Sequence, residues 1–262
     1  MTRSVMVVAP HPDDETIGCG ASIAARAAAG TEVTVVIVTD GRHSHTSSVI
    51  SPDELASRRM AESVAACRLL GLDDDAVRFL GYEEGQLWNR LPELAGELAA
   101  LIAERRPDEV VVTSEHDWHD DHRAVNAAVR RAAARAGFTG AVAAYPVWYW
   151  ADGPWRNSPT DTARTQLCGF FGDLRAAWRL GPARLVPTRS GGVDHAERKR
   201  AAFACYESQT TNLTGEADWA TFPAGWIDPF CGAFEPFFPL RPDPHAGAEQ
   251  VREQAAAGPA TA

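Results

Sequence analysis

The chain contains no Cys-x-x-Cys pair, and its five cysteines (Cys19, Cys67, Cys168, Cys205 and Cys231) are odd in number and scattered. This pattern suggests neither a thiolate zinc site nor a disulfide framework. Long apolar runs are also missing. The first, residues 5–9, stops at Pro10, too short for a signal-peptide core or a bilayer span. A cytoplasmic protein without a membrane span is therefore expected. Positive charge is scarce: 25 Lys and Arg against 35 Asp and Glu give a net charge of −10, so no nucleic-acid partner is expected. No internal repeat is visible, and no G-x-G-x-x-G follows the first apolar run. Gly18-Cys19-Gly20 is too short for that fingerprint and reads as close packing of a helix on a sheet, which argues against a nucleotide cofactor.

What is present is an alternation of two periodicities. Residues 5–9, 32–39 (EVTVVIVT), 77–80, 109–113 (EVVVT) and 141–147 are short, Val-rich or Ala-rich runs that read as strands. Between them, 18–29, 52–70, 91–106 and 122–136 read as helices, three of them closed by Gly30, Gly71 and Gly137. The β-α-β-α order predicts an α/β fold with a Rossmann-like, mostly parallel sheet sandwiched by helices. After residue 147 the character changes to clustered Trp, Phe, Pro and Gly, interrupted by one helix at 194–206. This C-terminal part (151–241) is expected to be irregular and to pack on the sheet as part of a single domain. The polar tail, 242–262, is expected to be disordered.

Two segments carry chemistry. Ala9-Pro10-His11-Pro12-Asp13-Asp14-Glu15 directly follows the first strand, and His116-Asp117-Trp118-His119-Asp120-Asp121-His122 follows EVVVT. Both lie at carboxyl ends of parallel strands, the edge where open α/β sheets bind ligands. Imidazoles and carboxylates are what a catalytic zinc needs, with one position left for water. His11 and Asp14, three apart, can turn to one point, and His122 would complete the set. Asp13 then remains beside the metal as a general base.

The run Ala9–Glu15 resembles the A-H-P-D-D-E signature of the LmbE-like, or PIG-L, N-acetylglucosaminyl deacetylases, with Pro10 inserted. His119-Asp120-Asp121-His122 resembles the family's H-P-D-H motif, with Asp120 in place of proline. The resemblance spans roughly residues 4–210. It implies zinc on His11, Asp14 and His122 (Fe2+ is an alternative metal), and Asp13 as base. It makes His119 the group that stabilises the oxyanion or protonates the amine, and Asp121 the carboxylate that keeps His119 cationic. Arg59 and Glu62 resemble an R-x-x-E helix whose Arg contacts sugar hydroxyls. Glu84 stands where relatives often carry a sugar-binding Asp, and Ser208-Gln209 resembles a late S-Q signature, which makes Arg59, Glu84 and Gln209 the substrate-binding candidates. The implied substrate is a small N-acetylated amino sugar, in antibiotic (aminoglycoside or glycopeptide) biosynthesis. A GlcNAc-inositol deacetylase and a thiol-conjugate amidase of mycothiol metabolism are the close alternatives.

Two more distant readings use the same residues. Two His and one carboxylate also make the facial triad of a non-haem Fe(II) oxygenase, although that chemistry normally sits on an antiparallel jelly roll. A sugar-binding protein without catalysis would need neither Asp13 nor a full ligand set. His43 and His45 follow the second strand and reach the same edge. His116 and Asp117 read as loop or supporting groups, and His195 and His245 as surface residues. Cys67 and Cys205 read as small buried apolar groups on helical faces.

Overall fold

Strands and helices alternate through the first half of the chain: β1 (Ser4–Ala9), α1 (Asp14–Ala28), β2 (Glu32–Thr39), α2 (Pro52–Leu69), β3 (Val77–Tyr82), α3 (Leu91–Arg105), β4 (Glu109–Thr113), α4 (Asp120–Arg135) and β5 (Ala141–Tyr145). The computed structural model describes residues 4–148 and 183–240. Trp150, Pro154, Trp155 and Cys168, the tail from 241 onward, and His245 within it lie outside the described residues. The later elements are β6 (Arg184–Pro187), the small pair β7 (Arg189–Ser190) and β8 (Val193–Asp194), α5 (His195–Phe203), the short α6 (Glu207–Thr210) and β9 (Phe234–Pro239).

The main sheet runs β3-β2-β1-β4-β5-β9-β6, with the first five strands parallel and the last two joined antiparallel. Its inner strands are apolar on both faces, so alternate residues feed two cores. Val5, Val7, Val35, Ile37 and Val111 pack toward α1 and α5, while Met6, Val8, Val36, Val110 and Val112 pack toward α3 and α4. The chain leaves β1 in one direction along the sheet and β4 in the other. β1 and β4 are neighbours, Val8 opposite Val112, so the loops after them meet at the point where the strand order reverses.

The sequence expectation of an irregular C-terminal part needs amending. β9 (FEPFFP) and β6 extend the sheet, pairing at Ala144↔Phe238 and Arg184↔Phe237. Prolines at 236 and 239 hide this strand, because each removes a ladder donor. β9 avoids the conflict by pairing with β5 through its last residues and with β6 through its first. Glu235 on β9 is fully buried. It accepts the N–H groups of Ala21 and Ser22 at 3.0 and 2.7 Å, just past the non-helical Cys19 (φ −144°) that breaks α1. Lys199 Nζ, 2.6 Å away and equally buried, neutralises it. Lys199 is the only lysine in the chain.

Gly18 allows α1 to lie close to the sheet, as its spacing suggested: a Cβ there would stand 2.0 Å from the ring of Tyr145. His195 is not a surface residue; it is 1% exposed, with Nε2 on Ser190 Oγ at 2.9 Å. Cys67 is buried as expected, whereas Cys205 is only half-buried. Among the described residues no helix is long and apolar enough to cross a membrane.

Candidate metal centre and active site

The turn after β1 folds back on itself because Asp14 Oδ2 accepts the His11 backbone N–H at 3.0 Å. The same oxygen lies 3.1 Å from His11 Nδ1 and 3.2 Å from His122 Nε2. Each ring's other nitrogen is held by a second carboxylate. Asp121 Oδ2 is 3.1 Å from His11 Nε2, and Asp117 Oδ2 is 2.9 Å from His122 Nδ1. Carboxylates behind imidazoles fix the ring orientation and raise its basicity. His122 Nε2 is buried and has no hydrogen-bond partner. An aimed, unsatisfied imidazole nitrogen beside a carboxylate oxygen is the chemistry of a divalent-metal donor set, and His11, Asp14 and His122 fit one.

The electrostatics point the same way. Burial alone would push the two imidazoles down. The hydrogen bonds that His11 donates to Asp121 and Asp14 instead lift it to about 10, and Asp14 with Asp117 lifts His122 to about 9. Burial also opposes ionisation of Asp14, yet His122 and His11 hold it well below the usual carboxylate range. The cluster therefore favours positive charge at its centre.

The three imidazoles of His11, His119 and His122 also approach within 4.8 Å of one another. His119 is chemically different from the other two. Burial, then repulsion from His11 and His122, lowers it to about 4, so it is neutral at pH 7. Its Nδ1 accepts the Asp121 backbone N–H at 3.2 Å, which leaves the proton on Nε2. With Nδ1 engaged in this way, His119 presents an Nε2–H to the cavity. The expectation that Asp121 keeps His119 cationic does not match this geometry, because the Asp121 carboxylate is turned to His11 and to the N–H of Gly85 at 2.7 Å.

Asp13 is the N-cap of α1 at φ 134°, a region that costs a non-glycine residue roughly 1–3 kcal/mol. That strain sits on the residue expected to act as base. Its Oδ2 accepts from Arg59 Nη2 at 2.9 Å, and burial lifts the carboxyl to about 8 in spite of this guanidinium. Arg59 is itself buried, and also donates to Pro12 O at 2.6 Å and Gly41 O at 3.2 Å. Gly41 must be glycine here, since φ is +67° and a Cβ would meet Arg59 at 2.4 Å. Glu15, fully buried, bonds Tyr206 Oη and Thr16 Oγ1, and Glu62 holds Ser208 through N at 2.9 Å and Oγ at 2.6 Å.

These groups open on a cavity of about 300 Å³. His11, Asp13, Asp14 and His119 line it, as do Arg59, Glu84 and Gln209, so the structure brings the sugar-binding candidates to the same space. Glu84 accepts from the His43 N–H at 2.8 Å, and Gln209 donates to Ser208 Oγ at 3.1 Å. His45 lines the cavity and stacks on Trp219 at 4.3 Å, while His43 turns outward to Glu83. Trp118, Trp148 and Phe222 complete the wall. Sequence reasoning gave no role to Trp118, although it adjoins His119, nor to Tyr206 as the partner of Glu15. The cavity lining reveals the first and burial the second.

A family profile described as PIG-L, GlcNAc-PI de-N-acetylase, matches residues 6–133. A 1D-myo-inositol 2-acetamido-2-deoxy-alpha-D-glucopyranoside deacetylase of Salinispora arenicola is 32% identical over 172 residues, 56% of this chain and 55% of that protein. The enzyme of the same name from Thermobifida fusca is 30% identical over 244 residues, 79% of this chain and 83% of that one. The chain spans about half the length of the first curated relatives it matches. A crystal structure of a deacetylase triple mutant from the teicoplanin biosynthetic pathway superposes with a TM-score of 0.64 at 20% identity, covering 93% of this chain and 99% of that one. On the length and identity of the match to the Thermobifida fusca protein, and on the profile over its site-bearing half, the chain belongs to the PIG-L (LmbE-like) family.

Proposed function

We propose that this chain is a zinc-dependent N-deacetylase that removes the acetyl group from an N-acetylglucosamine-type amino sugar in antibiotic (aminoglycoside or glycopeptide) biosynthesis. The observation that carries the reading is Asp14 Oδ2 between His11 Nδ1 and His122 Nε2, with Asp13 beside them on the cavity wall. A divalent ion on His11, Asp14 and His122 would supply Lewis-acid polarisation of the acetamide and of water. Asp13, on the cavity wall beside these groups, takes the proton from the attacking water. The neutral His119 offers its Nε2–H to the oxygen that gains charge as the carbonyl carbon becomes tetrahedral. When the C–N bond breaks, the proton held by Asp13 passes to the departing amine, leaving acetate and a free amino sugar.

The relatives' printed substrate favours a second reading, a GlcNAc-inositol deacetylase, and an amidase acting on a thiol conjugate would use the same metal site. Metal analysis of the purified protein together with acetate release from a panel of N-acetylglucosamine compounds tests the proposal. A protein that carries no zinc when active, or that releases acetate from none of them, would refute it.

A further inference from the structure

We propose that the cavity has an apolar subsite, walled by Trp118, Trp148 and Phe222, that receives a planar apolar ring attached to the amino sugar. The proposal rests on the deacetylase reading and specifies the part of the substrate beyond the sugar.

Trp118 is 58% exposed yet lines the cavity. Its ring centre lies 5.6 Å from that of His119 and 5.2 Å from that of Trp148. Trp148 lies 6.1 Å from Phe222, and Phe222 stacks at 4.1 Å on the buried Trp226. Trp148 and Phe222 are thus anchored on the core through Trp226, which limits the ordering cost of binding on that side of the wall.

Its chemistry selects the occupant. The acyl group removed in this reading brings one methyl, too little to cover three rings. Sugar hydroxyls find Arg59, Glu84 and Gln209 elsewhere in the cavity. A second polyol could lay only its C–H face on these rings, keeping its hydroxyls in water, and so would cover less of the wall. A planar apolar ring gives up no hydrogen bonds and gains offset or edge-on stacking.

Calorimetric titration of the zinc-loaded Asp13→Asn chain reads binding without turnover, and acetate release by the unmodified chain reads chemistry. The ligands are the methyl and 2-naphthyl glycosides of N-acetylglucosamine, GlcNAc-inositol, and a methyl glycoside carrying N-octanoyl in place of N-acetyl. The naphthyl glycoside is expected to bind about tenfold tighter than the methyl glycoside and than GlcNAc-inositol. Adding Trp118→Ala should collapse that ratio to about twofold, and Trp118→Phe should restore part of it. Equal affinity for naphthyl and methyl glycosides, a preference for GlcNAc-inositol, or a ratio that Trp118→Ala leaves intact would each overturn the subsite. A preference for N-octanoyl over naphthyl would also overturn it, assigning the wall to an acyl chain. If the naphthyl preference holds while no compound releases acetate, the subsite stands and the deacetylase reading falls.

Discussion

Asp117 Oδ2 stands 2.9 Å from His122 Nδ1, and the opposite nitrogen of that fully buried ring has no hydrogen-bond partner. One carboxylate fixes the ring while its free end faces Asp14. His122→Ala should therefore abolish stoichiometric zinc, and Asp117→Asn should weaken zinc binding about 10- to 100-fold without removing a ligand. Equilibrium dialysis with metal analysis distinguishes the two. A His122→Ala chain that keeps one zinc would refute the ligand assignment.

Asp121 makes the same kind of contact to His11. Asp121→Asn should weaken zinc about 10- to 100-fold, as expected for a group behind a ligand. Had it served to charge His119, the variant would hold zinc normally and change only the pH profile. Zinc affinity and the profile, measured on one preparation, separate the two roles.

Asp13→Ala should retain zinc and lose about 10²- to 10⁴-fold in the rate of acetate release, the contribution of a general base. Full activity in this variant would move the base elsewhere.

Gly18→Ala places a methyl 2.0 Å from the ring of Tyr145, whose hydroxyl is tied to Val8 O at 3.0 Å. Neither partner has room to withdraw. Overpacking of this sort costs about 1–3 kcal/mol, to be seen as a lower denaturation midpoint. An unchanged midpoint would mean that α1 and β5 slide apart freely.

Glu216 accepts from Ser47 Oγ and from the N–H and Oγ of Ser48, which together hold its carboxyl down at about 2. Because the folded value is depressed, this tie between the loop after β2 and the segment after α6 is complete above the ordinary value of 4.5. It is lost as pH falls from there through 2. The Glu216 side-chain carbon resonance should titrate near 2, and a midpoint near 4.5 would show the two segments unlinked.

The parallel half of the sheet was legible because strands buried on both faces are written as continuous apolar runs, EVTVVIVT and EVVVT among them. The meeting of His11 with His122 was legible for a topological reason, since both follow strands at one sheet edge. Two things were not. The strand FEPFFP lacks both alternation and an uninterrupted donor ladder, and its pairing depends on partners far away in sequence. The orientation of Asp121 also escaped, because it is set by His11 and by the Gly85 N–H, contacts 110 and 36 residues distant. Adjacency to His119 in sequence suggested the wrong partner.

The chain's one lysine is spent inside the fold, on Glu235. Reagents that acylate or cross-link side-chain amines therefore find no target on the folded protein, whose outward positive charge is carried by guanidinium groups. Lysine labelling becomes a reporter of unfolding: Lys199 should react with an amine-directed probe only when β9 has left α1.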